Sequence, residues 1–519
     1  MSSPPLRAME AVPEPEDHQA TTETPLLQRT LRSDNEEPTT IPPHPHLTRV
    51  VAIIIVSIFL LEVGDYMMRA PFLQVLEDII CRKFYESTAP FDSHITLPIP
   101  KDECKIASVQ AEVAMIKGWD QALSCIPAIF LAIPYGYVGD RYGRKIPLIL
   151  ALFGILLSQI WVQFVVYFNN TFDVRLIWAG NLFRLIGGGS AVSQNSIYAV
   201  VADVAPESKR GPIFFQVSAA ALISTVVGIP LSWLLMKTDP FKALLVATGF
   251  IALGNVLVLF LPETLQLAKK NDAALNHLAP ESDTEEGISP ALAKSSKIDL
   301  KVSIVEFVED SRFIWANPGL CALIFTFILS TLSSNSISIL FQLASQRFHW
   351  SLADASFLIP FSSVTNFVIL IAILPVVYSV LGSRFHLRPP TKDLLVARGS
   401  LMFHILGALA IALSARPSFL VFGTFIFACG DGHVSATRSL LTSFVHADQV
   451  SRLYAVLAIM MTIGSMIMAP LLSKAFAWGL NLGGNWSGMA FLTVATLYLV
   501  LGSPLWIIRP PSPEEDVHG

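Results

Sequence analysis

Apolar runs of about 20 residues punctuate the sequence, six before residue 262 and six after residue 313, and each is long enough to cross a bilayer as an α-helix. Backbone N–H and C=O groups find no water in lipid, so a spanning segment must satisfy them internally as a helix or laterally in a closed barrel. Barrel strands would be about half this length and would alternate polar with apolar residues. The runs do neither, which predicts an all-α integral membrane protein of twelve transmembrane helices. Composition agrees, with 53% hydrophobic and 14% charged residues, where a soluble domain carries roughly 25% charge.

The polar stretches divide the chain. Residues 1–47 are rich in Pro, Glu, Ser and Thr and read as a disordered cytoplasmic tail. Residues 48–262 hold the first six-helix bundle, 263–312 a charged cytoplasmic linker, 313–509 the second six-helix bundle and 510–519 a short cytoplasmic tail. Within the linker, Leu300, Ile304, Phe307 and Val308 share one face between Ile298 and Phe313, the pattern of a helix lying on a membrane surface. The net charge of −5 is concentrated, since residues 1–49 hold eight acids against four bases and 263–312 ten against six. Nothing in that balance points to a nucleic-acid partner. Five cysteines without ligand spacing, no phosphate-binding loop and no Ser/His/Asp cluster argue against a metal, a cofactor or an enzyme.

Charges inside the spans carry the functional information, because each costs about 3 kcal/mol at bilayer depth unless it is paired or faces water. Glu62, Asp65 and Arg69 follow one another at spacings of three and four, so they share an inward stripe of the first helix, and Arg69 can pair with Asp65 a turn away. That pair either locks the helix or leaves a carboxylate to take a proton or a substrate. Lys117 and Asp120 open the second span, and Arg184 interrupts the fourth. Asp431 sits between glycines in Cys429–His433, where an unwound helix would leave it facing a cavity. Asn335, Gln342, Asn366, His404, His433 and Arg438 read for the most part as hydrogen-bonded packing groups.

Short loops orient the chain. Residues 139–146, 202–211, 383–398 and 438–453 hold eleven Lys or Arg between them, which puts these loops and both termini in the cytoplasm. Residues 81–112 then form an outer polar loop in which Cys81 and Cys104 can form a disulfide, and the sequons at Asn169 and Asn485 also fall outside. The cytoplasmic turn after the second helix runs from Gly136 through Gly139, Asp140, Arg141 and Gly143 to Arg144 and Lys145. Its glycines are expected to let helices and backbone approach closely, while the cations stay out of the bilayer.

This pattern, G-x-x-x-D-R-x-G-R-K between the second and third helices, resembles the signature of the major facilitator superfamily. Arg184 followed by Gly187, Gly188 and Gly189 is similar to that family's second motif, and the loop 203–211 and the exit Pro262-Glu263-Thr264 also look like it. One place departs: Gly382–Arg388 lacks a second D-R-x-G-R, although Lys392, Asp393 and Arg398 could take over related gating work. The resemblance covers residues 48–509. It implies two pseudo-symmetric six-helix bundles around a mid-membrane cavity, alternating access, and a cytoplasmic gate built on the Asp140 loop.

Within the superfamily the chain looks most like fungal efflux pumps of the drug–proton antiporter type, often associated with secondary metabolites. That implies proton-coupled export of small organic molecules by a monomer in the lipid bilayer of the plasma membrane, or alternatively the vacuole. Proton coupling or substrate contact then falls to Glu62, Asp65, Arg69, Asp120, Arg184 and Asp431. A proton-coupled importer of an organic nutrient would use the same carboxylates. A transport-dead sensor would have little reason to keep them.

Overall fold

The computed structural model describes residues 47–88, 100, 102–205, 207–265, 318–445 and 450–508. The amphipathic segment expected at Ile298–Phe313 and most of both expected tails lie outside these residues, as do the side chains of Asp140 and Asn485.

Among the described residues every regular element is helical. In the first half of the chain we number α1 (Leu47–Thr88), α2 (Ala107–Tyr142), α3 (Lys145–Tyr167), α4 (Gly189–Val204), α5 (Glu207–Met236) and α6 (Pro240–Leu259). The second half holds α7 (Pro318–Phe348), α8 (Leu352–Ser383), α9 (Pro389–Ala412), α10 (Pro417–Thr442), α11 (Val450–Leu482) and α12 (Met489–Leu501). Among the described residues eleven helices are long and apolar enough to span a membrane. Large side chains left on their outer faces, such as Phe130, Leu413 and Phe422, would meet lipid. The most apolar stretch of α8 is only 6% buried, which places this helix at the periphery.

The fourth segment is the exception to a continuous span. It begins as a 3-10 run, Val174–Ile186, and becomes α-helical only at Gly189. Three glycines make the joint: Gly188 and Gly189 take positive φ, and a side chain on Gly187 would strike the backbone of Leu150 and Ala151 in α3. Other interruptions are smaller. A 3-10 turn occupies Phe327–Leu329 in α7 and another Cys429–Asp431 in α10, while α8 widens to a π turn at Ile369–Ile373 just ahead of Pro375, which has no N–H to give.

Three helices outrun their expected limits. α1 continues through Cys81 to Thr88 and α2 starts at Ala107, so the outer polar loop is shorter than 81–112. Arg82 and Lys83, charges that read as loop, ride on the extra turns, where Arg82 donates to the Asn169 side-chain Oδ1 at 2.5 Å. Cys81 and Cys104 are joined by a disulfide that ties the end of α1 to the entry of α2. α9 likewise begins at Pro389, which makes Lys392, Asp393 and Arg398 helical.

Packing joins the halves. α1 lies against α5 and α6, α9 against α10 and α12, and α2 crosses to pack along α11. The two ends of the bundle are distinguished below as the disulfide end and the motif end, the latter carrying Gly136–Lys145.

Candidate functional site

A cavity of about 300 Å³ lies between the halves, bounded by the middle of α1, by α2, α3 and Arg184 on one side and by α7 and α11 on the other. This is the small end of the range of ligand pockets. On the first side Arg69 donates to Asp65 from Nη2 at 2.8 Å and from Nε at 3.2 Å, and its guanidinium lies 4.2 Å above the Tyr66 ring. Asp120 accepts from the Asn181 amide at 2.8 Å, and Arg184 Nε donates to Ser158 at 3.4 Å. Lys117 Nζ stands 5.2 Å from the centre of the Phe72 ring. The opposite side contributes hydroxyls and amides: Ser334, Asn335, Ser338 and Gln342 from α7, Ser465 and Ser473 from α11.

Four of the six expected coupling or substrate residues therefore meet at one cavity, namely Asp65, Arg69, Asp120 and Arg184. Glu62 does not line it. It sits one turn toward the motif end, with no hydrogen bond or ion pair among the described residues.

Asp431 is the sixth, and its expected position is corrected. The helix tightens at Cys429–Asp431 instead of unwinding, and the carboxylate turns into the second half to accept from Ser333 at 2.8 Å, with His404 Nε2 at 3.6 Å. The cause is packing. A side chain on Gly430 would meet the His404 ring, and His404 is itself stacked on the fully buried Tyr498 at 4.5 Å. The expectation of satisfied polar groups is corrected as well, because among the described residues both ring nitrogens of His404, Nδ1 of His433, and the side-chain oxygens of Gln342 and Asn366 lack a hydrogen-bond partner.

At the motif end, Gly143 takes φ +122° and a side chain there would collide with the Glu263 carboxylate. That carboxylate accepts from the backbone N–H of Arg144 at 2.9 Å and of Lys145 at 3.4 Å, satisfying two donors at the start of α3 and complementing its dipole. Arg144 Nε lies 3.5 Å from Asp203, which also accepts from Thr264. Burial pushes the Asp203 carboxyl above the usual range, against the pull of Arg144. Arg141 donates to the Tyr137 hydroxyl at 2.6 Å, and Lys145 Nζ to the Leu259 carbonyl at 2.7 Å. The expected close approach at Gly136 is absent among the described residues, none of which lies within 4 Å of where its side chain would point, and Gly139 makes ordinary contact with Pro147. In the second half, Asp393 accepts from Tyr378 and Ser439, and Arg398 donates to the carbonyls of Leu505, Trp506 and Ile508, so neither forms an ion pair among the described residues.

At the disulfide end the halves are bridged. Lys105 donates to Ser345 and to the Trp350 carbonyl, and Trp233 Nε1 donates to Asp354 at 2.9 Å. Asn169, one of the two sequon residues, donates its amide to the Val166 carbonyl at 2.8 Å.

With a polar cavity between two helical halves in place, comparison decides the family. Residues 113–437 match the model of the Major Facilitator Superfamily. The chain belongs to that superfamily. Two fungal relatives are similar along most of their length: an MFS efflux pump, atnC, of Emericella nidulans is 32% identical over 478 residues, covering 90% of this chain and 89% of the relative. An efflux pump, ustT, of Aspergillus flavus is 30% identical over 456 residues, covering 87% of each. Among solved structures, the nucleoside transporter NupG superposes with a TM-score of 0.56 at 14% identity, covering 88% of this chain and 99% of that one. The superfamily fold, two six-helix bundles around a cavity, is thus the fold of this multi-pass membrane transporter. Its members bind small molecules within the bilayer.

Sequence reasoning missed Lys117 as a cavity residue, though a lysine inside an apolar helix carries the same cost that singled out Arg184. It also missed Glu263, Asp203, Trp233 and Asp354. Their partners lie tens to hundreds of residues away, and no spacing rule connects them.

Proposed function

We propose that this chain exports small organic molecules by alternating access, driven by inward protons, with residues 48–262 and 313–509 as the two moving bodies. The observation that carries this reading is a charged cavity shared by both halves and bridged at the disulfide end by the cross-half bonds of Lys105 and Trp233. Placing the motif end in the cytoplasm, as the basic loops favour, makes this the state that loads from the cytoplasm. The relatives named efflux pumps support the outward direction over import. Glu62 is the proton carrier in this scheme, because Asp65 is committed to Arg69. The motif residues, tied to Glu263 and Asp203, form the cytoplasmic gate. We further assign the plasma membrane rather than the vacuole, a monomeric state, glycans at Asn169 and Asn485, and no catalytic reaction.

The test is efflux and uptake of a metabolite panel by cells lacking or overexpressing the protein, with and without a protonophore. Overexpression should lower retention of at least one compound, and the protonophore should restore it. Raised uptake on overexpression would reverse the direction, and insensitivity to the protonophore would remove the proton.

A further inference from the structure

The cavity's charges do not balance. Asp65 and Asp120 face Arg69, Lys117 and Arg184, and Asp65 is already engaged by Arg69. Among the described residues Lys117 and Arg184 have no carboxylate within 4 Å, and the one side-chain hydrogen bond of Arg184 uses Nε, leaving both terminal nitrogens of its guanidinium open. The opposite wall adds no charge. It does add an acceptor: Gln342 is 2% exposed, lines the cavity, and its side-chain oxygen has no hydrogen-bond partner among the described residues. One surplus positive charge, two cations held more than 4 Å from any described carboxylate and a buried carbonyl without a donor are costly in a membrane protein, and a single anionic ligand can satisfy them together.

We propose that the cavity takes a carboxylate-bearing molecule whose acid group sits between Lys117 and Arg184 and which offers an N–H or O–H donor to Gln342. Arg184 supplies a planar fork that matches a carboxylate, and Lys117 a compact charge. A cationic substrate would meet like charge on this wall. The assignment gives the substrate class for the transport reading above and rests on it, while the charge asymmetry can be tested apart from transport.

Ser334→Cys places a thiol in the cavity wall, in a background where Cys125, Cys321 and Cys429 are serine and the disulfide is kept. Its rates with an anionic and a cationic methanethiosulfonate reagent, each divided by the rate with a free thiol, should favour the anion. Lys117→Gln should lower that preference by at least about tenfold, as expected for removing one charge roughly 6 Å away in a water-filled cavity of effective dielectric near 80. Arg184→Gln should lower it similarly, and unchanged melting temperatures would keep misfolding apart from charge. A normalised preference for the cation, or one that neither substitution moves, overturns the proposal. In loaded vesicles, acid and methyl-ester pairs of one skeleton give the second readout. Export of esters but not acids defeats the substrate assignment and leaves the transport reading standing. Export of neither, with the anion preference intact, defeats the transport reading alone.

Discussion

The wall of the cavity built by α1, α2 and Arg184 carries five ionisable side chains, whereas the wall built by α7 and α11 presents serines, an asparagine and a glutamine. The charges of the second half are not missing but are turned away: Asp431 faces Ser333 and His404, and Asp393 faces Tyr378 and Ser439. Concentrating the ionisable groups in one half means that their mutual distances survive a rocking motion. What the motion changes is which side of the membrane they see. The neutral wall can then adapt to substrate shape without disturbing proton affinity, since hydroxyls and amides do not titrate in the working range.

This division of labour can be broken at its strongest point with Asp65→Asn, which leaves Arg69 without its carboxylate. Transport should vanish and thermal stability should fall by about 1–3 kcal/mol, less than for a dry pair because both side chains are partly open to the cavity. Asp65→Asn combined with Arg69→Gln should recover the melting temperature but not the transport. Recovery of neither would mean that the pair does more than neutralise itself.

Glu62→Gln sharpens the comparison on the charged side. Reconstituted vesicles with an imposed pH gradient should show no accumulation, while exchange at equal pH continues, because exchange needs the cavity but no net proton movement. Wild-type accumulation by this variant would take the proton elsewhere, with Asp120 and Asp431 next.

On the neutral wall, Gln342→Leu should raise KM about tenfold, the cost of one lost hydrogen bond to a charged or polar ligand, and leave the pH dependence of transport where it was. A shifted pH profile would show that the two walls are not independent.

The smallest effect is expected at the bridge between the halves. Trp233→Phe removes one hydrogen bond to Asp354, worth about 1 kcal/mol, so the population closed at the disulfide end should drop by roughly fivefold relative to its alternative. Labelling of a cavity cysteine from the outside would report it. An unchanged labelling rate would assign the bridge no part in gating.

Much of this architecture is written in the sequence because lipid enforces it locally: the length of an apolar run fixes a span, and a charge within one, as at Asp65 or Arg184, has to face inward. What depended on distant partners was not legible. The fourth segment reads as one span, yet Gly187 lies so close to α3 that the helix is cut there. Asp431 between two glycines suggests an unwound, exposed site, and only the packing of Gly430 on His404 explains why it is neither. The motif itself is recognisable, whereas the carboxylate that fixes its turn, Glu263, comes from the far end of α6, which no periodicity relates to Gly143.

The Cys81–Cys104 link joins residues only 23 apart and belongs wholly to the first hairpin of the chain. Synthesis proceeds from the N-terminus, so this hairpin is complete before most of the other helices have left the ribosome. Closing it covalently removes slack from that early intermediate and sets the register of α1 against α2. Asp65, Arg69, Lys117 and Asp120 are all on these two helices. Most of the charged wall can thus be in register during biogenesis, and the later helices assemble onto a template that already carries its ions.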